Sequence, residues 1–399
     1  MANAFGAVTT EAVTRYNVAI VLGTRPEAIK MAPVIRELER RSDVFRPFVI
    51  ATSQHREMLA QALAAFSIKP DVDLGLTHVN KTLAEFTARA LLALTDAFTR
   101  IKPRLLMVQG DTSTVVAAAL AAFYSGISIA HVEAGLRSGD NRRPFPEEAN
   151  RRIASCVTDL HFAPTDRARR NLIDEQIPAR DIYVTGNTIV DALRMMRHDG
   201  VFADPKLNAI PWAFHRTVLV TAHRREILST GLRSVCDALR QLLFRYPDLL
   251  VVFPVHLNPR VREVVFGELQ EIDRVVLLDP ISYPDLIEVM RRSTLIMTDS
   301  GGIQEEGPSL KKPVLILRDV TERPEVVDSG FGRLVGTDPV AILRAASELL
   351  TDDIAYRRMI SGANPFGDGH AAELIVDAIE KRLGADDLIS SPAVAARMR

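Results

Sequence analysis

The sequence predicts two Rossmann-like, doubly wound α/β domains facing each other across a cleft. Three observations lead there. The chain has 399 residues, which at roughly 150 residues per domain is too many for one ordinary core. From Asn17 onward a short β-branched run, a turn and a helix-length amphipathic stretch recur, as in parallel strands joined by crossover helices. The residue types able to do chemistry gather directly behind the predicted strands, where open α/β sheets bind their ligands.

In chain order, the first domain (17–185) is expected to hold strands at Val18 to Leu22, Pro47 to Thr52, Leu105 to Gln109, Ser128 to Val132, Leu160 to Ala163 and Ile182 to Thr185. The rhythm pauses at Gly186-Asn187-Thr188 and again from Ala203 to Pro211, where Pro, Asp and Asn collect, so the junction is placed there. The second domain (186–383) then has strands at Val218 to Thr221, Leu250 to Pro254, Val275 to Leu278, Leu295 to Thr298 and Val314 to Leu317, with a last helix returning to the first domain. Residues 1–16 and 384–399, the latter with Ser390-Ser391-Pro392 and an Ala-rich finish, read as loose termini.

Bulk properties narrow the function by exclusion. A hydrophobic share of 47% and a charged share of 25% describe an average globular chain. Lys plus Arg (49) nearly balances Asp plus Glu (50), so no nucleic acid or membrane surface is expected as partner and any anion affinity must be local. Cys156 and Cys236, the only two cysteines, fall one in each presumed domain and read as reduced core thiols. Apolar runs fall short of the ~18 residues that span a bilayer, and the first residues lack a signal-peptide pattern. A cytoplasmic location is therefore expected.

Six strand ends carry chemistry. Thr298-Asp299-Ser300-Gly301-Gly302-Ile303-Gln304-Glu305-Glu306 reads as a strand, a small-residue turn and a helix start. Its free backbone amides, the Ser300 hydroxyl and the helix dipole suit a phosphate, and Glu306, about one turn later, suits a ribose diol. Two glycines after a strand also make a plain turn. Gly23-Thr24-Arg25-Pro26-Glu27 ends the first strand, with Arg25 and Lys30 able to reach phosphate from the opposing domain or simply to be solvated cations. Asp111, Glu133 and Glu147 form an acidic set suited to general acid and base work, with mutual repulsion raising at least one proton affinity. Helix capping is the competing explanation for Asp111 and Glu147. His223 and His256 each follow a strand and suit contact with a diphosphate, His223 being the better candidate.

Other chemistries lack their motifs. There is no Gly-x-Gly-x-x-Gly turn for a dinucleotide, no Gly-x-Ser-x-Gly elbow and no Gly-x-x-x-x-Gly-Lys-Ser/Thr loop. The histidines lack the cysteine partners or the His-Glu-x-x-His helix of a zinc site. Neither metal nor cofactor is expected.

Taken together, several strings resemble one family: Gly23-Thr24-Arg25-Pro26-Glu27-Ala28-Ile29-Lys30-Met31-Ala32-Pro33, Gln54-His55-Arg56-Glu57-Met58, Gly110-Asp111-Thr112, His131-Val132-Glu133-Ala134-Gly135-Leu136-Arg137, Pro146-Glu147-Glu148-Ala149-Asn150-Arg151, His223-Arg224-Arg225-Glu226, and Asp299 through Glu306. The chain is similar, from about Asn17 to Arg382, to the bacterial non-hydrolysing UDP-N-acetylglucosamine 2-epimerases. The resemblance implies a glycosyltransferase-B type architecture, usually dimeric, that interconverts UDP-N-acetylglucosamine and UDP-N-acetylmannosamine for surface polysaccharides without a redox cofactor. It places the catalytic residues on Asp111, Glu133, Glu147 and His223. Substrate contacts fall on Arg25, Lys30, Arg151, His256, Leu286 (beside uracil), Ser300, Gly301, Gly302, Glu306 and Arg323 of Thr321-Glu322-Arg323-Pro324-Glu325. Gln54, Arg224 and His256 remain for a second, activating substrate molecule. The Arg-Gln pair common in the family's activator region is replaced here by His78-Val79-Asn80-Lys81-Thr82-Leu83, and the Asn common after Glu226 is replaced by Ile227-Leu228-Ser229-Thr230. The alternatives are a hydrolysing 2-epimerase, a glycosyltransferase of the same architecture, and a nucleotide-sugar sensor without turnover.

Overall fold

The computed structural model describes residues 15–54, 56–76, 82–196, 198–224 and 230–390, with side chains up to 385. His55, the stretch from His78 to Lys81, Arg225, Glu226, Ile227 to Ser229 and most of both presumed loose termini lie outside the described residues.

A seven-stranded sheet contains β1 (Tyr16–Leu22), β2 (Phe45–Ala51), β3 (Val72–Asp73), β4 (Leu105–Gln109), β5 (Ser128–Val132), β6 (Leu160–Ala163) and β7 (Ile182–Val184), in the order β3-β2-β1-β4-β5-β6-β7. A six-stranded sheet contains β8 (Arg216–Thr221), β9 (Leu249–Pro254), β10 (Val275–Leu278), β11 (Leu295–Thr298), β12 (Val314–Ile316) and β13 (Gly332–Leu334), in the order β10-β9-β8-β11-β12-β13. Every ladder is parallel. Parallel sheets are covered on both faces, which requires strands that are apolar on both sides. β1 meets this requirement: Val18, Ile20 and Leu22 enter one apolar cluster while Ala19 and Val21 enter another.

Two strands were not legible beforehand. β3 has only 2 residues and β13 has 3, starting on a glycine. Such short edge strands carry no β-branched run, and pairing with β2 and β12 supplies what local sequence lacks.

Both sheets reverse their strand order once, between β1 and β4 and between β8 and β11. These are the switch points at which helices diverge to opposite faces and leave a crevice at the strands' carboxyl ends. The helix Arg25–Arg40 starts at the first of them. Thr24 is its N-cap, and the Glu27 carboxylate reaches back to the Thr24 N–H at 2.7 Å, closing a capping box. That start puts Lys30 on the buried face of the first turns.

The helix Ala371–Ser390 packs against the first domain: Ile375, Val376 and Ile379 share an apolar cluster with Ile35 and Leu38. Arg41 ties it down through Asp377 at 2.7 Å and Glu380 at 2.9 Å. It extends past Leu383, where the tail was expected to begin, because Gly384 alone does not break a helix and no proline follows before Pro392.

Candidate active site

A cleft of about 470 Å³ opens at the two switch points, walled by both domains. Every residue expected to be catalytic or to contact substrate lines it, and so does Arg224. Gln54 is not among its walls, and its side-chain oxygen accepts a hydrogen bond from the Thr114 hydroxyl at 2.9 Å.

The wall from the first domain begins at the β1 turn. Glu27, 1% exposed, accepts from the Gly23 N–H at 2.6 Å, and its other oxygen accepts from the Thr112 hydroxyl at 2.5 Å. It thereby joins the turn after β1 to the turn after β4. Burial pushes its pKa up to about 7 despite these donors.

Lys30, expected at a phosphate, instead ends between two carboxylates. Its ammonium contacts Glu133 Oε2 and lies 2.7 Å from Glu305 Oε2 of the other domain. Burial disfavours the cation, yet Glu133 and Glu305 outweigh it and hold the pKa above the ordinary lysine range. Glu133 follows β5 in a left-handed conformation, φ +66°. Side chains other than glycine enter this region at a cost, and tertiary contacts must hold them there. The next turn residue but one, Gly135, has no substitute: a Cβ there would lie 2.3 Å from the Ala168 carbonyl oxygen. Gln109 at 3.1 Å and Asn187 at 3.3 Å also donate to Glu133 Oε2. Burial raises the pKa of Glu133, opposed by Lys30 and Arg323.

The other two acids are handled differently. Asp111 Oδ2 lies 2.6 Å from Arg151, and the Asp111 carbonyl accepts from Asn150 Nδ2 at 2.8 Å. Both partners sit on the helix Glu147–Val157, which opens with Glu147 itself. The first-turn placement that competes with a catalytic role for Glu147 is thus real, yet the residue lines the cleft as well. Its Oε2 is buried without a hydrogen-bond partner among the described residues. Burial raises its pKa first, and the charges of Asp111 and Glu322 add to the rise. For Glu133 and Glu147 alike, burial rather than mutual repulsion is the leading cause of the raised proton affinity.

The wall from the second domain is built for anions. Ser300 caps the helix Gly301–Ser309 without spending its side chain on the cap, and its own N–H donates to Thr298 Oγ1 at 2.9 Å. A Cβ at Gly301 would meet nothing closer than the Arg323 guanidinium at 3.5 Å. The cradle therefore presents open helix-start amides beside a cation. Arg323 is anchored by Glu305 at 2.7 Å and Glu322 at 3.0 Å and lies 3.7 Å from Glu133. His223 and His256 stack with ring centroids 5.5 Å apart and planes at 11°. Glu306 accepts from the Tyr283 hydroxyl at 3.0 Å, and burial pushes its pKa up to about 7.

Glu305, Glu322, Tyr283, Gln109 and Asn187 carry parts of this network that the sequence did not assign. Glu305 and Glu322 stood inside recognised strings, so their neighbours Glu306 and Arg323 were the available signal. Tyr283, Gln109 and Asn187 carried no local signal, because their partners lie 23, 24 and 54 residues away in sequence.

Comparison with known proteins identifies the family. A family model described as UDP-N-acetylglucosamine 2-epimerase matches residues 36–380. The UDP-N-acetylglucosamine 2-epimerase of Yersinia pestis is 48% identical over 370 residues, 91% of this chain and 98% of that protein. The Bacillus subtilis (strain 168) protein of the same name is 47% identical over 363 residues, 91% of this chain and 94% of that one. A crystal structure of UDP-GlcNAc 2-epimerase from Neisseria meningitidis bound to UDP-GlcNAc superposes with a TM-score of 0.85 at 43% identity, covering 92% of this chain and 100% of that one.

Proposed function

The chain belongs to the UDP-N-acetylglucosamine 2-epimerase family and is an isomerase of that class, and on this premise we propose how its cleft works. Carbon 2 of the sugar is not next to a carbonyl, so its proton is too weak an acid for a carboxylate to remove directly. Breaking the bond from carbon 1 to the UDP oxygen first creates an oxocarbenium-like centre, with the electron pair leaving on UDP. The carbon 2 proton can then pass to a carboxylate, giving a glycal. Return of a proton to the other face, with re-addition of UDP at carbon 1, inverts carbon 2.

The walls divide this work. Open amides at Ser300 to Gly302, with Arg323 and His223, meet the negative charge that grows on the departing diphosphate. Asp111, Glu133 and Glu147 face the sugar, where they stabilise positive charge and move the proton. Glu147, half-buried, with its Oε2 unpartnered among the described residues and its pKa raised, is suited to hold a proton between the two half-reactions. Arg25 serves the diphosphate from the first domain, while Lys30 acts by setting the charge of Glu133. The Glu306 carboxyl takes the ribose, and Leu286 lies against uracil.

The observation that carries the reading is a helix-start amide cradle and three acids on opposite walls of one cleft. Retention of UDP, as opposed to hydrolysis, is supported by pairs that tie the domains together: Lys30 to Glu305 at 2.7 Å, Thr165 to Glu325 at 2.9 Å and Arg167 to Asp328 at 2.7 Å. A cleft closed in this way excludes water from the glycal. Anion-exchange chromatography of the products tests it. UDP-N-acetylmannosamine is expected, and accumulation of UDP with free N-acetylmannosamine would establish the hydrolysing reaction.

The same reading makes the protein a homodimer that works in the cytoplasm and supplies surface polysaccharides. Exposed Leu92, Phe123 and Tyr124 on two packed helices of the first domain support self-association. Light scattering at micromolar concentration checks it, a monomer mass being the contrary result. Among the described residues no helix is long and apolar enough to cross a membrane.

A further inference from the structure

Asp299 stands at the end of β11, immediately before the cradle, and is wholly buried. Its Oδ2 accepts the backbone N–H groups of His223 and Arg224, each at 2.7 Å. Its Oδ1 has no aligned hydrogen bond among the described residues and lies 3.2 Å from His223 Nδ1. A buried carboxylate oxygen needs a donor, and the imidazole beside it can be that donor. Burial opposes the charge, but the His223 ring and the two backbone donors outweigh it and hold Asp299 below the ordinary carboxylate range. An ionised Asp299 only accepts, so the neighbouring Nδ1 must carry the hydrogen. The ring is fixed from its face as well: His256 stacks on it, and His256 Nδ1 is itself held by the Asn258 N–H at 3.1 Å.

We propose that Asp299 is the positioning residue of the diphosphate wall, holding His223 in its Nδ1–H tautomer and turning Nε2 toward the departing phosphate oxygen. When the bond from carbon 1 to UDP breaks, its electron pair goes to that oxygen. A ring carrying a second proton on Nε2 donates a hydrogen bond there, and the Asp299 carboxylate balances the charge on the ring. The turn at β11 thus acts twice, through its amides on the phosphate and through Asp299 on the imidazole. This function rests on the reading of the cleft as a UDP-sugar site, whereas the tautomer does not.

The test uses protein labelled with 15N-histidine at a pH of about 8, where imidazoles are largely neutral, with the His223 signals assigned by difference from His223→Gln. The unliganded protein should show His223 with hydrogen on Nδ1. In Asp299→Asn the amide oxygen can still accept both backbone N–H groups while its NH2 faces Nδ1, so the hydrogen should move to Nε2. That neutral Nε2–H still binds UDP, so its Kd should change less than about threefold, while kcat falls at least about 100-fold for want of the balancing charge. An Nε2–H tautomer in the unmodified protein would overturn the proposal even if Asp299→Asn does not fold. So would a variant whose tautomer is unchanged and whose loss of turnover merely follows lost UDP affinity. Absence of epimerisation in the unmodified protein would reject the function while the spectrum still decides the role of Asp299.

Discussion

The two walls of the cleft share one topology and use it in opposite ways. On the first domain, the strand ends after β4 and β5 hold carboxylates, two of them tied to cations: Asp111 to Arg151 and Glu133 to Lys30. On the second, the strand ends after β8, β9 and β11 offer imidazoles and open backbone amides. In the proposed reaction one wall moves protons on the sugar, and the other steadies charge on the leaving group. The comparison teaches that the switch-point crevice supplies only a place, and that the residues following each strand decide the task.

The contrast breaks most visibly where the walls meet. Lys30→Met removes one of the two cations that compensate Glu133 and Glu305 and leaves Arg323 alone with both buried carboxylates. A loss of about 3–5 kcal/mol is expected from denaturant unfolding, since buried charge stripped of part of its compensation is costly. A loss below about 1 kcal/mol would mean that the pair is not the joint described here.

Proton transfer comes next. Asp111→Asn and Glu133→Gln should each lower kcat by two or more powers of ten while calorimetric UDP affinity stays within about threefold. Near-normal turnover in both would remove the first wall from the chemistry. Gly301→Ala probes the second wall. The new Cβ sits 3.5 Å from Arg323, an ordinary contact, so thermal stability should hold while the narrowed cradle weakens UDP by about tenfold, or ~1.4 kcal/mol. A lowered melting temperature with intact affinity would contradict the cradle.

An effect of similar size to that at Gly301 is the pH dependence of Glu306. Its pKa rises from the ordinary 4.5 to about 7 on folding, so the folded state binds its proton more tightly than the unfolded chain. Stability from this group is present at low pH and is lost as pH rises through about 7. Relative to Glu306→Gln, the unliganded protein should therefore weaken by on the order of 1–2 kcal/mol between about pH 5 and about pH 8. Melting curves that run parallel over this range would show that the Glu306 carboxyl is not held neutral.

Much of this was legible in the sequence, for physical reasons that name their own limits. β4, β5 and β11 were read with the bounds they have, because buried parallel strands are continuous apolar runs bounded by turns. Ser300 to Gly302 and His223 were placed because they follow such runs directly. The fate of Lys30 was not legible: its partners Glu133 and Glu305 belong to different sheets, and only the packed domains bring them to one ammonium. Burial, which sets the proton affinities of Glu27, Glu133, Glu147 and Glu306, is likewise a property of the assembled cleft. Asp299 was visible as part of a string, but its place at His223 Nδ1 needed the parallel ladder of β8 and β11.

The central claim, elimination of UDP followed by its return, is tested most directly by proton NMR of UDP-N-acetylglucosamine turned over in heavy water. The mechanism predicts that UDP-N-acetylmannosamine forms and that carbon 2 of both epimers acquires deuterium, with the UDP-sugar signals retained. Conversion without deuterium at carbon 2, or release of free sugar with UDP, would contradict it.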